Sequence, residues 1–290
     1  MVSEQEIKLL YEKLQNHGQI QNPISSTHSV SGGSINDAYK LESDDRNFFL
    51  KVNSASRHPG MFEAEAKGLS LLSKHSEFAV PKPILNFENN NRAYLILEWL
   101  DEAPGSDQEE TGRLLAKMHQ TKTDQFGLDF DNYMGSLEQS NTQYSEWAPF
   151  FIEQRLEPQL KIARDNGDMK SEHSRQFEKL YYKLEELFPP AKPSLVHGDL
   201  WGGNAMNTSE DPSIYDPAVY YGHPEVDIAM TTLFGGFDRS FYQAYMKENP
   251  LEKGWRGRLP LYNLYPLLVH VNLFGSSYLM QVEHILKSYF

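Results

Sequence analysis

Two short apolar segments, each ending in an aspartate, constrain this chain more than any other feature. The first runs Leu195-Val196-His197-Gly198-Asp199-Leu200-Trp201-Gly202-Gly203-Asn204, and after a polar gap comes Ile214-Tyr215-Asp216-Pro217. Read as strands, the apolar pieces at 194–196 and 213–215 would deliver Asp199 and Asp216 to one place. Asn204 stands five positions after Asp199. A carboxylate to orient a hydroxyl, with an amide and a second carboxylate to hold a divalent cation, is the equipment of phosphoryl transfer. A surface loop, since Gly-Asp and Asn-rich turns are common, and a dinuclear metallophosphatase are the competing readings. The latter wants several histidines, and only His197 and His223 lie near.

The 290 residues suffice for one large domain or two lobes with a cleft, and 39% hydrophobic content marks a folded chain. A formal net charge of -13 argues against nucleic-acid or anionic-membrane partners, which need a cationic surface. With no cysteine there is no disulfide framework, thiolate metal site or thiol nucleophile. The acidic start lacks a signal-peptide core and no run of about 18 apolar residues occurs, so a cytoplasmic location is expected.

Periodicity divides the chain near residue 98. Before it, 3–16 and 60–73 read as helices, 29–41 and 47–52 as strands about a turn at Ser43-Asp44-Asp45, and 93–98 as a buried strand. After an acidic hinge at 101–107, helical spacing dominates over 111–121, 144–163, 171–187, 225–233, 240–246 and 259–286. Only 194–196 and 213–215 read as strands there. The expected fold is α+β and two-lobed: a small sheet with one long helix over 1–98, and a larger, mostly helical lobe over 99–290.

Further candidates follow from chemistry. Lys51 is a lone cation in an apolar strand and needs a counter-ion or an anionic ligand. Glu65 on the next helix is the expected partner, with Glu63 the fallback, and the pair would aim Lys51 at nucleotide phosphates. Gly32-Gly33-Ser34 is either a turn folding over those phosphates or a plain hairpin turn. No Gly-x-x-x-x-Gly-Lys-Ser/Thr motif occurs. Glu98, Trp99 and Leu100 end the buried strand where adenine would sit. His197 is read as a loop brace and His119 as a helix-end packing residue. Asp227 is either an acid favoured by its helix dipole or, preferably, a brace for the Asp199 loop. Trp201 could stack on a substrate or belong to the core, and Glu225 could meet a substrate amine.

Beyond these motifs the chain resembles the fructosamine/ketosamine-3-kinase family, a branch of the aminoglycoside-phosphotransferase-like, protein-kinase-like enzymes. The resemblance rests on Gly32 to Asn36, Phe49 to Asn53, Met61 to Glu65, Trp147 with Phe150, Phe151 and Arg155, and the His197–Asn204 stretch. It extends through Asp216 to Gly222, Leu233 to Phe237 and Leu261 to Gly275, from about residue 20 to the end. It implies ATP- and Mg²⁺-dependent phosphorylation of the 3-hydroxyl of a ketosamine, free or on a glycated protein, whose product decomposes to release the amine. It also implies Asp199 as base, Asn204 and Asp216 as Mg²⁺ ligands, Lys51 and Glu65 at the phosphates, and Glu98 to Leu100 at adenine. Ser34 stands where many relatives carry cysteine, which removes thiol chemistry from that turn. An aminoglycoside or amino-alcohol kinase and an ATP-binding pseudokinase scaffold are the alternatives.

Overall fold

The computed structural model describes residues 2–31 and 35–289. Helix α1 (Glu4–Asn16) begins at a reciprocal cap: the Ser3 hydroxyl accepts from the Glu6 amide, and the Glu6 carboxylate accepts from the Ser3 amide. Five antiparallel strands follow: β1 (Ile24–Ser29), β2 (Asp37–Ser43), β3 (Phe48–Ser54), β4 (Pro83–Asn89) and β5 (Arg92–Glu98). They are ordered β1-β2-β3-β5-β4, with α2 (Met61–His75) connecting β3 to β4.

Strand alternation decides what each face does. Leu50, Val52, Tyr94 and Ile96 bury against Leu10 and Leu14 of α1. Leu95 and Leu97 point the other way, into the core shared with Leu69 and Leu72 of α2. Lys51, between Leu50 and Val52, therefore emerges on the α2 side. The expected strand over 29–41 contains only the last residue of β1 and the first five of β2, and β4 was not foreseen. Pro83 sits at the first position of an edge strand, where a missing N–H costs little.

The second lobe holds α3 (Gln108–Met118), α4 (Trp147–Phe151), α5 (Glu157–Asp165), α6 (Ser171–Leu187), α7 (Glu225–Thr231), α8 (Arg239–Glu248), α9 (Trp255–Phe274) and α10 (Leu279–Ser288). A π-helical turn, Ile152–Leu156, joins α4 to α5, so the helix expected over 144–163 is continuous but not uniformly α. The helix expected over 259–286 is broken at Gly275, whose φ of 87° is left-handed.

Three two-stranded ladders carry the polar segments. The first pairs β6 (Asn132–Met134) with β7 (Leu137–Gln139). The second pairs β8 (Ser194–Val196) with β11 (Tyr220–Gly222), and the third β9 (Ala205–Asn207) with β10 (Pro212–Ile214). The sequence reading had β8 and β10 but neither partner strand, because three-residue strands carry no period to read.

Candidate active site

Four segments remote in sequence converge. From β3, the Lys51 ammonium lies 2.7 Å from Glu65 Oε1 of α2 and 2.7 Å from Asp216 Oδ1, just past β10. Lys51 is the buried cation the sequence implied, and Glu65 rather than Glu63 is its partner; Glu63 instead pairs with Lys67 on the same helix. Burial opposes the lysine's charge, but the Asp216 and Glu65 carboxylates outweigh it and raise its pKa. Burial pushes the Glu65 carboxyl up, against the pull of Lys51. Asp216 has a left-handed φ of 55°, which a non-glycine residue keeps only where its surroundings enforce it.

After β8 the chain turns sharply at Gly198, φ 83°, where a Cβ would lie 2.1 Å from the Ala218 carbonyl oxygen. Only glycine lets this loop pass so close to the segment that follows Asp216. Beyond it, Asn204 Nδ2 donates to the Asp199 carbonyl (2.8 Å) and to Asp199 Oδ2 (3.1 Å). Burial, then the nearby Asp216 charge, pushes the Asp199 carboxyl up to about 8.

The loop is held from beneath by Asp227. Its two oxygens accept from the amides of His197 (2.8 Å) and Gly198 (2.9 Å), and Oδ2 lies 3.1 Å from His119 Nε2. Burial works against this carboxylate, yet its hydrogen bonds and the neighbouring histidines keep its pKa below the ordinary value. His119 Nδ1 in turn lies 2.7 Å from the Tyr245 hydroxyl, so His119 is a buried polar strut and not merely a packing residue at a helix end. His197 Nδ1 accepts from the Asp199 amide, which leaves Nε2–H to donate to the Tyr215 carbonyl at 3.0 Å. Burial holds His197 below its ordinary pKa, hence neutral.

Glu225 is a correction. It is 1% exposed and gripped by the Arg258 guanidinium (Nε to Oε2 2.9 Å), so desolvation and that ion pair keep it from a substrate amine. Trp201 is half-buried, 6.0 Å from the Phe234 ring in an edge arrangement. Gly32, Gly33 and Ser34 lie outside the described residues. At the end of β5 the Glu98 amide donates to the Lys82 carbonyl, whereas the amide of Leu100 has no protein acceptor among the described residues. Trp99 donates to Asp101 and lies under the Lys40 ammonium.

The donor set suits a hard divalent cation. Asn204 spends its N–H₂ on Asp199, which frees its amide oxygen, and the Asp216 side chain is 41% exposed and near enough for its charge to raise the Asp199 carboxyl. Sequence reasoning gave His119 a packing role rather than its bond to Asp227, and overlooked the amides of Asn132 and Gln139, which hold the chain after Asp216. No local pattern marks them, because each acts through a residue about 80 or more positions away.

On a protein-kinase-like fold, the chain is a phosphotransferase with a hydroxyl acceptor, as its relatives show. The fructosamine kinase family model matches residues 6–290, and the chain belongs to that family. It is 40% identical over 263 residues to an Enterococcus faecium protein described as a probable ketoamine kinase, covering 90% of this chain and 94% of the other. It is 41% identical over 277 residues to the chloroplastic protein-ribulosamine 3-kinase of Arabidopsis thaliana, covering 92% and 83%. A Thermobifida fusca crystal structure assigned as a fructosamine-3-kinase superposes with a TM-score of 0.86 at 33% identity, over 96% and 97% of the two chains. An aminoglycoside phosphotransferase at 17% identity, TM-score 0.64, shares the fold. Among the described residues no helix is long and apolar enough to cross a membrane.

Proposed function

We propose that the chain phosphorylates the 3-hydroxyl of ketosamines, free or protein-bound, with ATP and Mg²⁺ in the cytoplasm. Residues 1–98 are assigned as the nucleotide lobe and 99–290 as the catalytic and acceptor lobe. The observation that carries the reading is the meeting of Lys51, Glu65 and Asp216 at 2.7 Å contacts, beside an Asp199 already tied to Asn204.

In this reading Lys51, aimed by Glu65, contacts the nucleotide phosphates, and the Leu100 amide and Glu98 carbonyl serve adenine, with Trp99 on the rim. Gly32, Gly33 and Ser34 are assigned to the nucleotide phosphates on the family resemblance. Asn204 Oδ1 and the Asp216 carboxylate hold Mg²⁺, which when bound neutralises charge on the phosphates. Asp199 accepts a hydrogen bond from the acceptor hydroxyl and takes its proton as the new oxygen–phosphorus bond forms and the β–γ bridging bond breaks, releasing ADP. Asp227, His119 and His197 keep the Asp199 loop in place. Trp201 is assigned to the acceptor side of the cleft.

The test is ADP release with Mg²⁺-ATP against fructose-, ribulose- and erythrulose-amines, alongside aminoglycosides and choline, with Asp199→Ala as control. Turnover on ketosamines alone, lost by several orders of magnitude in the folded variant, supports the reading and ranks the sugars. Turnover on an aminoglycoside or choline alone replaces it.

A further inference from the structure

Among the described residues the largest fully buried side chain is an arginine with no carboxylate partner. Arg155, on the π-helical turn between α4 and α5, is 0% exposed, and among the described residues it makes no ion pair. Its guanidinium lies 4.0 Å from the Tyr220 ring centroid and 4.7 Å from that of Phe150. Its N–H groups donate to the Ser140 carbonyl at 2.6 Å, the Gln154 carbonyl at 2.9 Å and Asn141 Oδ1 at 2.7 Å. Its Nε–H finds no acceptor among the described residues. A buried cation held only by neutral groups, one donor unpaired, is expensive, and stability alone is better served by an apolar residue.

What the arginine does is legible in the direction of the hydrogen bonds around it. Arginine can only donate, so Asn141 must turn its oxygen to Arg155 and its NH₂ outward. That NH₂ donates to Asn132 Oδ1 at 3.1 Å, which turns the Asn132 NH₂ onto the Val219 carbonyl at 2.8 Å. Gln139 stands apart from this relay: its Oε1 accepts from the Tyr265 hydroxyl at 2.8 Å. Its NH₂ then donates to Asn132 Oδ1 at 2.7 Å and to the Ala218 carbonyl at 3.1 Å. The two arms therefore end on two successive carbonyls, the second and third residues after Asp216, and the Tyr220 ring beneath Arg155 belongs to the residue after them. The Ala218 amide donates back to the His197 carbonyl, so the same clamp reaches the Asp199 loop.

We infer that Arg155, acting through Asn141 and Asn132, and Gln139, held by Tyr265, are positioning residues that together fix the backbone after Asp216 and thereby hold its carboxylate in the left-handed, metal-facing conformation. The inference rests on the assignment of Asp216 as a metal ligand. Lys51 holds the Asp216 carboxylate and His197 the Tyr215 carbonyl before it; the clamp on the two carbonyls after it completes the enclosure that keeps Asp216 at φ 55°, and the fixed donor sense of a guanidinium sets the direction of the Asn141–Asn132 arm.

The test measures, by calorimetry, how much Mg²⁺ strengthens ADP binding relative to EDTA, in the full-length wild type and in Gln139→Met, Arg155→Met and Asp216→Asn. Gln139→Met, which keeps the volume but loses the donor to Ala218, is expected to cut the Mg²⁺-dependent gain about 10-fold, with ADP affinity in EDTA unchanged. Arg155→Met should match or exceed this if it folds; if it does not, Gln139→Met decides alone. A merely structural role would lower the binding stoichiometry through unfolded protein and leave the gain at its wild-type value, which would overturn the inference. Should Asp216→Asn itself keep the full gain, the metal-ligand assignment fails and takes the inference with it. Loss in Asp216→Asn with none in Gln139→Met refutes the positioning role alone.

Discussion

The Lys51 ammonium and the Asp216 carboxylate, 165 residues apart in the chain, lie 2.7 Å apart across the cleft. With Glu65 at the same distance on the other side, one cation is shared by two acids, one buried and one partly in solvent. The sharing ties a strand of the small sheet to the end of a strand in the helical lobe.

Removing that cation should be felt first by Glu65. Lys51→Met leaves a carboxylate in an apolar place and is expected to cost about 3 kcal/mol, the low end for a broken buried pair because Asp216 can still be hydrated. Adding Glu65→Gln should restore much of the loss, since the stranded charge is gone. Urea unfolding of the single and double variants measures both; equal midpoints for wild type and Lys51→Met would refute the buried-pair account.

Gly198 should tolerate no side chain. In Gly198→Ala the methyl would meet the Ala218 carbonyl oxygen at 2.1 Å on a backbone of positive φ, so either the loop or the segment after Asp216 must shift. A loss of at least about 2 kcal/mol in thermal unfolding is expected, together with loss of turnover in whatever remains folded. Wild-type stability and rate in this variant would mean that the close approach is dispensable.

Asp227 links the loop to pH. Its folded pKa lies below the ordinary value near 3.8, so its stabilising contribution is complete above that value and is lost as pH falls through the lower folded one. Asp227→Asn, which keeps the shape but loses the charge-assisted bonds to His197 and Gly198, should cost about 2 kcal/mol at pH 7. The gap to wild type should stay level down to about pH 4 and close below it. Unfolding curves from pH 7 to pH 3 check this; a gap that widens in acid would give the wrong sign.

Glu225 belongs to the scaffold, and its variants should separate stability from recognition. Glu225→Gln breaks the ion pair with Arg258 in a buried place and should lower the unfolding midpoint while leaving the KM for a ketosamine unchanged. A rise in that KM with no change in stability would return Glu225 to the acceptor site.

What could be read without tertiary structure was whatever repeats or stands alone along the chain. The helix at 171–187, the buried strand ending at Glu98 and the two-lobed α+β division follow from periodicity. That Asp199, Asn204 and Asp216 come together followed from residue types at a telling spacing. Lys51 stood out because a cation in an apolar strand must have a partner, and that rule holds before any contact is known. Short-range logic stops there. Strands of three residues such as Tyr220–Gly222 owe their existence to the partner they pair with, and no window of sequence contains both. The choice of Glu65 over Glu63 depended on which side of α2 faces the sheet, and the fate of Glu225 on an arginine 33 positions away. The clamp that Arg155, through Asn141 and Asn132, and Gln139 place on the Val219 and Ala218 carbonyls had no linear signature at all. Hydrogen-bond direction is a property of neighbours in space, and only the packed fold decides who those neighbours are.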